Sequence, residues 1–462
     1  MTLTPKGYLP RLIESQVQEM LDLYGAVCIE GPRACGKTWT AKNHSASAFE
    51  LNDPRGNFAN LRRAESDIMC VFEGESPHLV DEWQTVPEIW DATKYLVDSH
   101  AEPGRYILTG SSTPRIKGIH HDGTGRIGFV RMRPMSLYES GDSTGTVSLS
   151  TLFTDSMKAT EIIRPDLEHL VELTMRGGWP SIIGKKPSQQ ARYSKDYIES
   201  TIRSAERLDG IARNGSKIRM LIRSLARNEG TQASNNTLVR DMTDYDEQDV
   251  QTKERAVLSA HSLPDYNDVL ERLYFVDNQP SFDFNCRAPI RVGKKAKRRL
   301  ADPSLSIAAL GINKNSLMED RETYGFMFES MCIRDLRIYA EAHGGEVFHY
   351  RDDSGMEVDA IIQMPDGRYG AIEIKLGEGQ ADIAARGLKK FQAYTEKNDL
   401  PEPSFSCILC GECATAYTRE DGIHVVPLLQ LRDRGQKLPP LALNSGSFFS
   451  ISGFFILMLD FA

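Results

Sequence analysis

Eight consecutive residues, Gly31-Pro32-Arg33-Ala34-Cys35-Gly36-Lys37-Thr38, fit the pattern G-x-x-x-x-G-K-[ST]. Each residue type has a chemical reason. Gly31 and Gly36 let the backbone bend so that its N–H groups face phosphate oxygens. Lys37 reaches the β- and γ-phosphates, and the Thr38 hydroxyl is a ligand for Mg²⁺. The stretch Ala26–Glu30 before the loop is short, apolar and of strand length. A helix beginning near Gly36 would add its positive end. A second apolar run, Leu79-Val80, ends in Asp81 and Glu82. Asp81 is placed to hold Mg²⁺ directly or through water, and Glu82 to orient or deprotonate an attacking water. A third, Tyr106–Gly110, ends in hydroxyls, so one of Thr109, Ser111 and Ser112 is the expected sensor of a γ-phosphate.

A separate constellation lies far downstream. Asp359 follows Glu357 at spacing two, and Glu373 and Lys375 alternate with Ile372, Ile374 and Leu376. Strand periodicity puts the two charged residues on one face and the three apolar ones on the other. The turn Pro365-Asp366-Gly367 between the two runs allows a hairpin that brings Asp359, Glu373 and Lys375 together. Two carboxylates there are ligands for Mg²⁺, and a lysine positions water for attack on a phosphodiester. Glu329, beside the apolar helix face Phe328, Met331, Cys332 and Leu336, is a supporting carboxylate.

The elements that must carry these groups divide the chain into three. Strands alternate with helices over 1–150, the pattern of a parallel α/β sheet. Residues 151–315 read as mostly helical; Ile218, Leu221, Ile222 and Leu225 form one apolar face. Residues 316–432 return to mixed α and β, and 433–462 form an appended apolar tail. The expected fold class is therefore α/β throughout, with a helical middle.

At 462 residues the chain is too long for one core. With 40% hydrophobic and 26% charged residues, wholesale disorder is excluded. The formal charge of −9 excludes a globally basic nucleic-acid binder, yet Arg287, Arg291, Lys294, Lys295, Lys297, Arg298 and Arg299 form a basic run with no interleaved acid. Eight cysteines are too few for a disulfide scaffold. With no apolar segment near Met1, they point to a cytoplasmic setting. Cys407, Cys410 and Cys413 have ligand-like spacing but lack an obvious fourth ligand, so a core strand is the preferred reading. The tail Ser447–Ala462 is interrupted by Ser, Gly and Asp, and a membrane span is not expected.

The chain resembles the prokaryotic AAA+-type ATPases that carry a C-terminal domain of unknown function. The resemblance rests on GPRACGKT at 31–38, LNDPR at 51–55, LVDEWQTVPEIW at 79–90, ILTGSS at 107–112 and GRIGFVRMRPMSLYE at 125–139. It continues through GGWPS at 177–181, KRRLADPSL at 297–305, FMFESMCIRDL at 326–336 and HYRDDSGMEVDAII at 349–362, ending near IHVVPL at 423–428. It implies ATP and Mg²⁺ as cofactors and an arginine supplied to the γ-phosphate, for which Arg126 is the matching residue. A role for Arg126 in trans would need a homo-oligomer. The resemblance also implies a winged-helix-like middle. The Asp359, Glu373 and Lys375 pattern resembles the PD-(D/E)xK nuclease fold. Together these imply an ATPase whose nucleotide cycle controls a nuclease-like domain acting on DNA or RNA. The alternative is an ATP-dependent switch whose nuclease-like domain is a catalytically dead scaffold for a protein partner.

Overall fold

The computed structural model describes residues 2–100, 102–112, 122–248, 258–284 and 295–433. Five parallel strands open the chain: β1 (Ala26–Glu30), β2 (Ser47–Glu50), β3 (His78–Asp81), β4 (Tyr106–Gly110) and β5 (Ile127–Arg131). They lie in the order β2-β3-β4-β1-β5. Alternate residues of β1 feed two cores, as the strand pleat requires. Ala26 and Cys28 pack with Val80, Trp83, Trp90 and Leu108 on one face. Val27 and Ile29 pack on the other, against helices of the middle segment through Ile198, Ile202, Leu221 and Leu225. The phosphate-loop domain and the helical middle thus share a core.

The middle contains helices Leu167–Arg176, Pro187–Ala205, Gly215–Arg227, Asn235–Gln248 and Leu263–Arg272. The chain then forms isolated antiparallel bridges, Val276 to Leu300 and Gln279 to Lys297.

The second sheet has seven strands. They are β7 (Thr160–Glu161), β8 (Glu346–Arg351), β9 (Glu357–Gln363), β10 (Tyr369–Gly377), β11 (Phe405–Glu412), β12 (Thr415–Thr418) and β13 (His424–Pro427). Their order is β7-β12-β13-β11-β10-β9-β8. Both faces of its centre are covered, which explains the near-continuous apolar runs. Ile362, Ile372, Ile374 and Leu409 meet the helix Arg321–Glu341. Ile361, Ala371 and Ile408 meet the helix Ala381–Lys397.

The sequence boundaries place 151–176 in the middle domain, and in the structure parts of this stretch also contribute to the C-terminal sheet and core. β7 pairs with β12, and β6 (Val147–Ser148) pairs with β14 (Leu431–Arg432). Leu152, Leu170 and Leu173 lie in the same core as Phe328, Ile372 and Phe405. Strands of two residues have too little pattern to be read, and their partners lie far along the chain.

Cys407 and Cys410 lie on β11, and Cys413 just beyond it; all three are buried. Among the described residues no helix is long and apolar enough to cross a membrane. The apolar tail lies outside the described residues, as do Arg287, Arg291 and Lys294 of the basic run.

Candidate nucleotide site and C-terminal carboxylate cluster

The phosphate loop leaves the carboxyl end of β1, the end at which open α/β sheets bind ligands. Gly31 has φ of 146° and Gly36 of 112°. A Cβ on Gly31 would stand 2.1 Å from the Met132 carbonyl oxygen, so the loop passes where only glycine fits. The helix Lys37–Asn43 follows at once. Lys37 is buried, and its Nζ donates to the loop's own carbonyls of Gly31 (2.9 Å) and Pro32 (2.8 Å).

Strand order brings the second and third elements alongside. Asp81 ends β3 directly opposite Thr109 on β4. Asp81 Oδ1 accepts from Thr38 Oγ1 at 2.8 Å and from Thr109 Oγ1 at 2.6 Å. Burial pushes the Asp81 carboxyl above its ordinary value, while these two hydroxyls hold it down. A buried carboxylate beside a threonine hydroxyl is a hard-oxygen donor set, and Mg²⁺ fits it. Glu82 takes left-handed dihedrals, φ 61° and ψ 45°, and its N–H donates to Thr109 Oγ1 at 3.1 Å. That rarely populated conformation turns its carboxylate to Ser111 Oγ (3.0 Å) and Gln84 Nε2. A cavity of about 870 Å³ opens over these groups, lined by Arg33, Ala34, Gly36, Lys37, Thr38, Glu82 and Ser111 among others. Asp81 and Thr109 lie beneath it, Pro32 backs the loop, and Cys35 is buried against Met132.

Arg126 stands elsewhere. It precedes Ile127, which pairs with Ala26 at the amino end of β1, roughly 13 Å of strand from the loop. Its Nε donates to Asp98 at 2.7 Å. Arg126 is thus remote from the phosphate loop of its own chain.

At the C-terminal site, β9 and β10 pair antiparallel up to Ala360 and Ile372 and then part. The Ile374 N–H instead donates to Asp359 Oδ2 at 2.8 Å. Lys375 Nζ reaches Glu373 Oε2 (2.7 Å) and Asp359 Oδ2 (3.3 Å). The three expected residues do come together, beside a cavity of about 440 Å³ that Glu329 also lines. The surprise is Lys297. Its ammonium enters the cluster at 2.8 Å from Glu357, 3.1 Å from Glu329 and 3.9 Å from Asp359. Arg299 pairs with Glu329 and donates to Gln279. Both belong to the basic run of the sequence, yet both face inward and are buried. Burial and the neighbouring Asp359 push Glu373 up to about 8, against the pull of Lys375. Four carboxylates (Asp359, Glu373, Glu357, Glu329) thus meet three cations (Lys297, Lys375, Arg299), which offset most of the charge that would draw in a divalent cation. Among the described residues no group of three or more acidic, histidine or cysteine side chains is arranged to hold a metal ion, so as it stands Asp359 and Glu373 do not fit Mg²⁺.

A polar hub joins the two halves, and nothing in the residue pattern marks it. Asp277 accepts from Arg133 (2.7 Å), Arg337 (2.9 Å) and Arg131 (3.1 Å). Those arginines hold its carboxyl well below the usual range despite burial. Tyr274 donates to Glu30 Oε2 at 2.7 Å, at the residue before Gly31.

Comparison with known proteins assigns the domains. Residues 24–141 match the model of an AAA domain, 167–316 that of a domain of unknown function (DUF8612), and 324–431 that of another (DUF4143). Two curated relatives are "Uncharacterized protein Rv2008c" of Mycobacterium tuberculosis and "Uncharacterized protein Mb2031c" of Mycobacterium bovis. Each is 23% identical over 357 residues, covering 76% of this chain and 70% of its own. Among solved structures, the Walker-type ATPase PABY2304 of Pyrococcus abyssi aligns with TM-score 0.42 and 14% identity, over 67% of this chain and 97% of that one. The Aeropyrum pernix ORC2 protein (ADPNP–ADP complexes) aligns with TM-score 0.28 and 13% identity, over 69% and 98%. The chain thus carries an AAA-type P-loop domain in its N-terminal part and a C-terminal domain of the DUF4143 type.

Proposed function

We propose that the protein is a Mg²⁺-dependent ATP hydrolase whose nucleotide state is passed to its C-terminal nuclease-like site, acting on nucleic acid. The observation that carries the ATPase part is the convergence of Lys37, Thr38 and Glu82 on one cavity, with Asp81 hydrogen-bonded to Thr38 and Thr109 to both Asp81 and the Glu82 N–H. The loop N–H groups and Lys37 bind the β- and γ-phosphates. Thr38 and Asp81 would hold Mg²⁺, which neutralises phosphate charge when bound. Glu82 is oriented by Ser111, Gln84 and its own backbone to accept a proton from an attacking water. Thr109, hydrogen-bonded to both Asp81 and the Glu82 N–H, ties the two carboxylates to one strand end.

Coupling to the C-terminal half is supported by a continuous route. Glu30 abuts the phosphate loop and bonds Tyr274; Asp277, three residues on, bonds Arg337 of the helix that also bears Glu329. The helices over 215–272 followed by the bridged segments 276–281 and 297–300 support a winged-helix-like middle. The test is ATP turnover of the wild type and Lys37→Ala, with and without DNA or RNA. Loss in the variant and stimulation by nucleic acid are expected; unchanged turnover in Lys37→Ala would sink the assignment.

One observation favours the alternative, an ATP-dependent switch whose nuclease-like domain is a non-cleaving scaffold. That observation is the Lys297 ammonium within the carboxylate cluster. DNA and RNA left intact with Mg²⁺, Mn²⁺ and ATP would select this reading.

A further inference from the structure

Four cations line the nucleotide cavity: Arg11, Arg33, Lys37 and Lys42. Two are committed to carboxylates. Arg11 is buried and holds Glu139 at 3.0 Å, besides the carbonyls of Cys35 (2.6 Å) and Arg133 (2.8 Å). Lys42 pairs with Glu50 at 2.8 Å. Lys37 has its place in the loop motif. Arg33 remains: exposed, in the middle of the phosphate loop, with no carboxylate partner among the described residues. Its Nη1 donates to one neutral hydroxyl, Ser204 Oγ, at 2.7 Å. Ser204 lies on the helix Pro187–Ala205. The left-handed Ala34 (φ 58°) next to Arg33 turns the loop there.

We propose that Arg33 is the arginine that contacts the terminal phosphate, in cis, by exchanging Ser204 for the γ-phosphate oxygens. This rests on the ATPase reading above and adds the residue that distinguishes a triphosphate from a diphosphate. The physical case has three parts. A guanidinium is planar and always charged, and it binds phosphate oxygens through two parallel N–H bonds. Giving up one bond to a neutral hydroxyl costs little against a charge-assisted pair of bonds. The other arginine with a claim to this role, Arg126, stands at the far end of the sheet and is tied to Asp98. Because Arg33 rests on the middle helices before the exchange, its movement would also release a contact between the loop and Pro187–Ala205.

The experiment compares full-length wild type, Arg33→Ala, Arg33→Lys and Lys37→Ala. It measures affinity for ADP and for a non-hydrolysable ATP analogue, together with ATP turnover. Arg33→Ala is expected to bind ADP like the wild type and to lose roughly ten- to hundred-fold in analogue affinity, the worth of a charged hydrogen bond. Its turnover should fall by about 10³ or more, the usual effect of removing such an arginine. Arg33→Lys keeps the charge without the fork and should recover only part of the analogue affinity. Arg33→Ala with unchanged analogue preference and turnover overturns the proposal; loss of both ligands in Lys37→Ala would then leave the ATPase reading standing. Activity restored by mixing Arg33→Ala with Lys37→Ala would place the arginine in trans and also overturn it. A wild type that binds neither nucleotide overturns both.

Discussion

Replacing Lys297 by methionine keeps the length of the side chain and removes its charge. The ammonium side chain is 5% exposed and stands among Glu357, Glu329 and Asp359 at 2.8, 3.1 and 3.9 Å. Breaking a buried ion pair by deleting one partner costs roughly 3–5 kcal/mol. Here the lower end applies. Glu329 keeps Arg299, Asp359 keeps Lys375 and the Ile374 N–H, and Glu357 is 36% exposed and regains water. About 3 kcal/mol in a unit of 150–250 residues lowers its melting temperature by about 6–12 °C. All four tryptophans, Trp39, Trp83, Trp90 and Trp179, lie in the first 179 residues. Tryptophan fluorescence therefore follows the phosphate-loop half, while far-ultraviolet circular dichroism follows the whole chain. The variant should melt earlier by circular dichroism with a smaller shift in fluorescence. It should also bind Mn²⁺ more tightly than the wild type, because the cluster then carries excess negative charge. A Lys297→Met protein that melts with the wild type and binds no more Mn²⁺ refutes the idea that this ammonium balances the carboxylates.

Gly31→Ala should abolish nucleotide binding, read by ADP titration, since the new Cβ would overlap the Met132 carbonyl oxygen at 2.1 Å and the backbone there has a φ of 146° that L side chains rarely adopt. Glu373 gives a pH signature. Its folded-state proton is held up to about 8, whereas the ordinary value is 4.5. The folded state therefore binds the proton more tightly, and this contribution is full below pH 4.5 and fades as pH rises towards 8. The melting temperature should fall across that window, and Glu373→Gln should flatten the fall. Tyr274→Phe removes the bond to Glu30 and should cost about 1 kcal/mol in denaturant titration. On the proposed coupling it should also reduce stimulation of ATP turnover by nucleic acid; equal stimulation would argue against that route.

The phosphate loop was legible because its chemistry is local: eight consecutive residues following a strand. Asp81 and Thr109 were legible as strand ends, and parallel pairing of β3 with β4 does the rest. For Arg126 the motif names a residue without saying at which end of its strand it stands, and that end lies away from the phosphate loop of the same chain. Asp359, Glu373 and Lys375 followed from period-two alternation across one hairpin. Lys297 did not, because a run of basic residues reads as solvated charge. Only the bridge from Gln279 to Lys297 and the burial of its neighbours turn it inward. The hub at Asp277 has no local signature, since its three arginines come from two distant segments.

The pairing of β6 with β14 and of β7 with β12 has a consequence for synthesis. A ribosome delivers residues 147–176 long before their partners at 405–432 exist. The phosphate-loop sheet, complete by Arg131, is free to form early, while Leu149, Leu152, Leu170 and Leu173 wait without the core they belong to. That interval spans more than 200 residues of translation, over ten seconds at about 20 residues per second. During it the nascent chain exposes an apolar segment, and chaperone binding should concentrate there. A gene truncated after the helical middle would leave this segment permanently unpartnered and prone to aggregate.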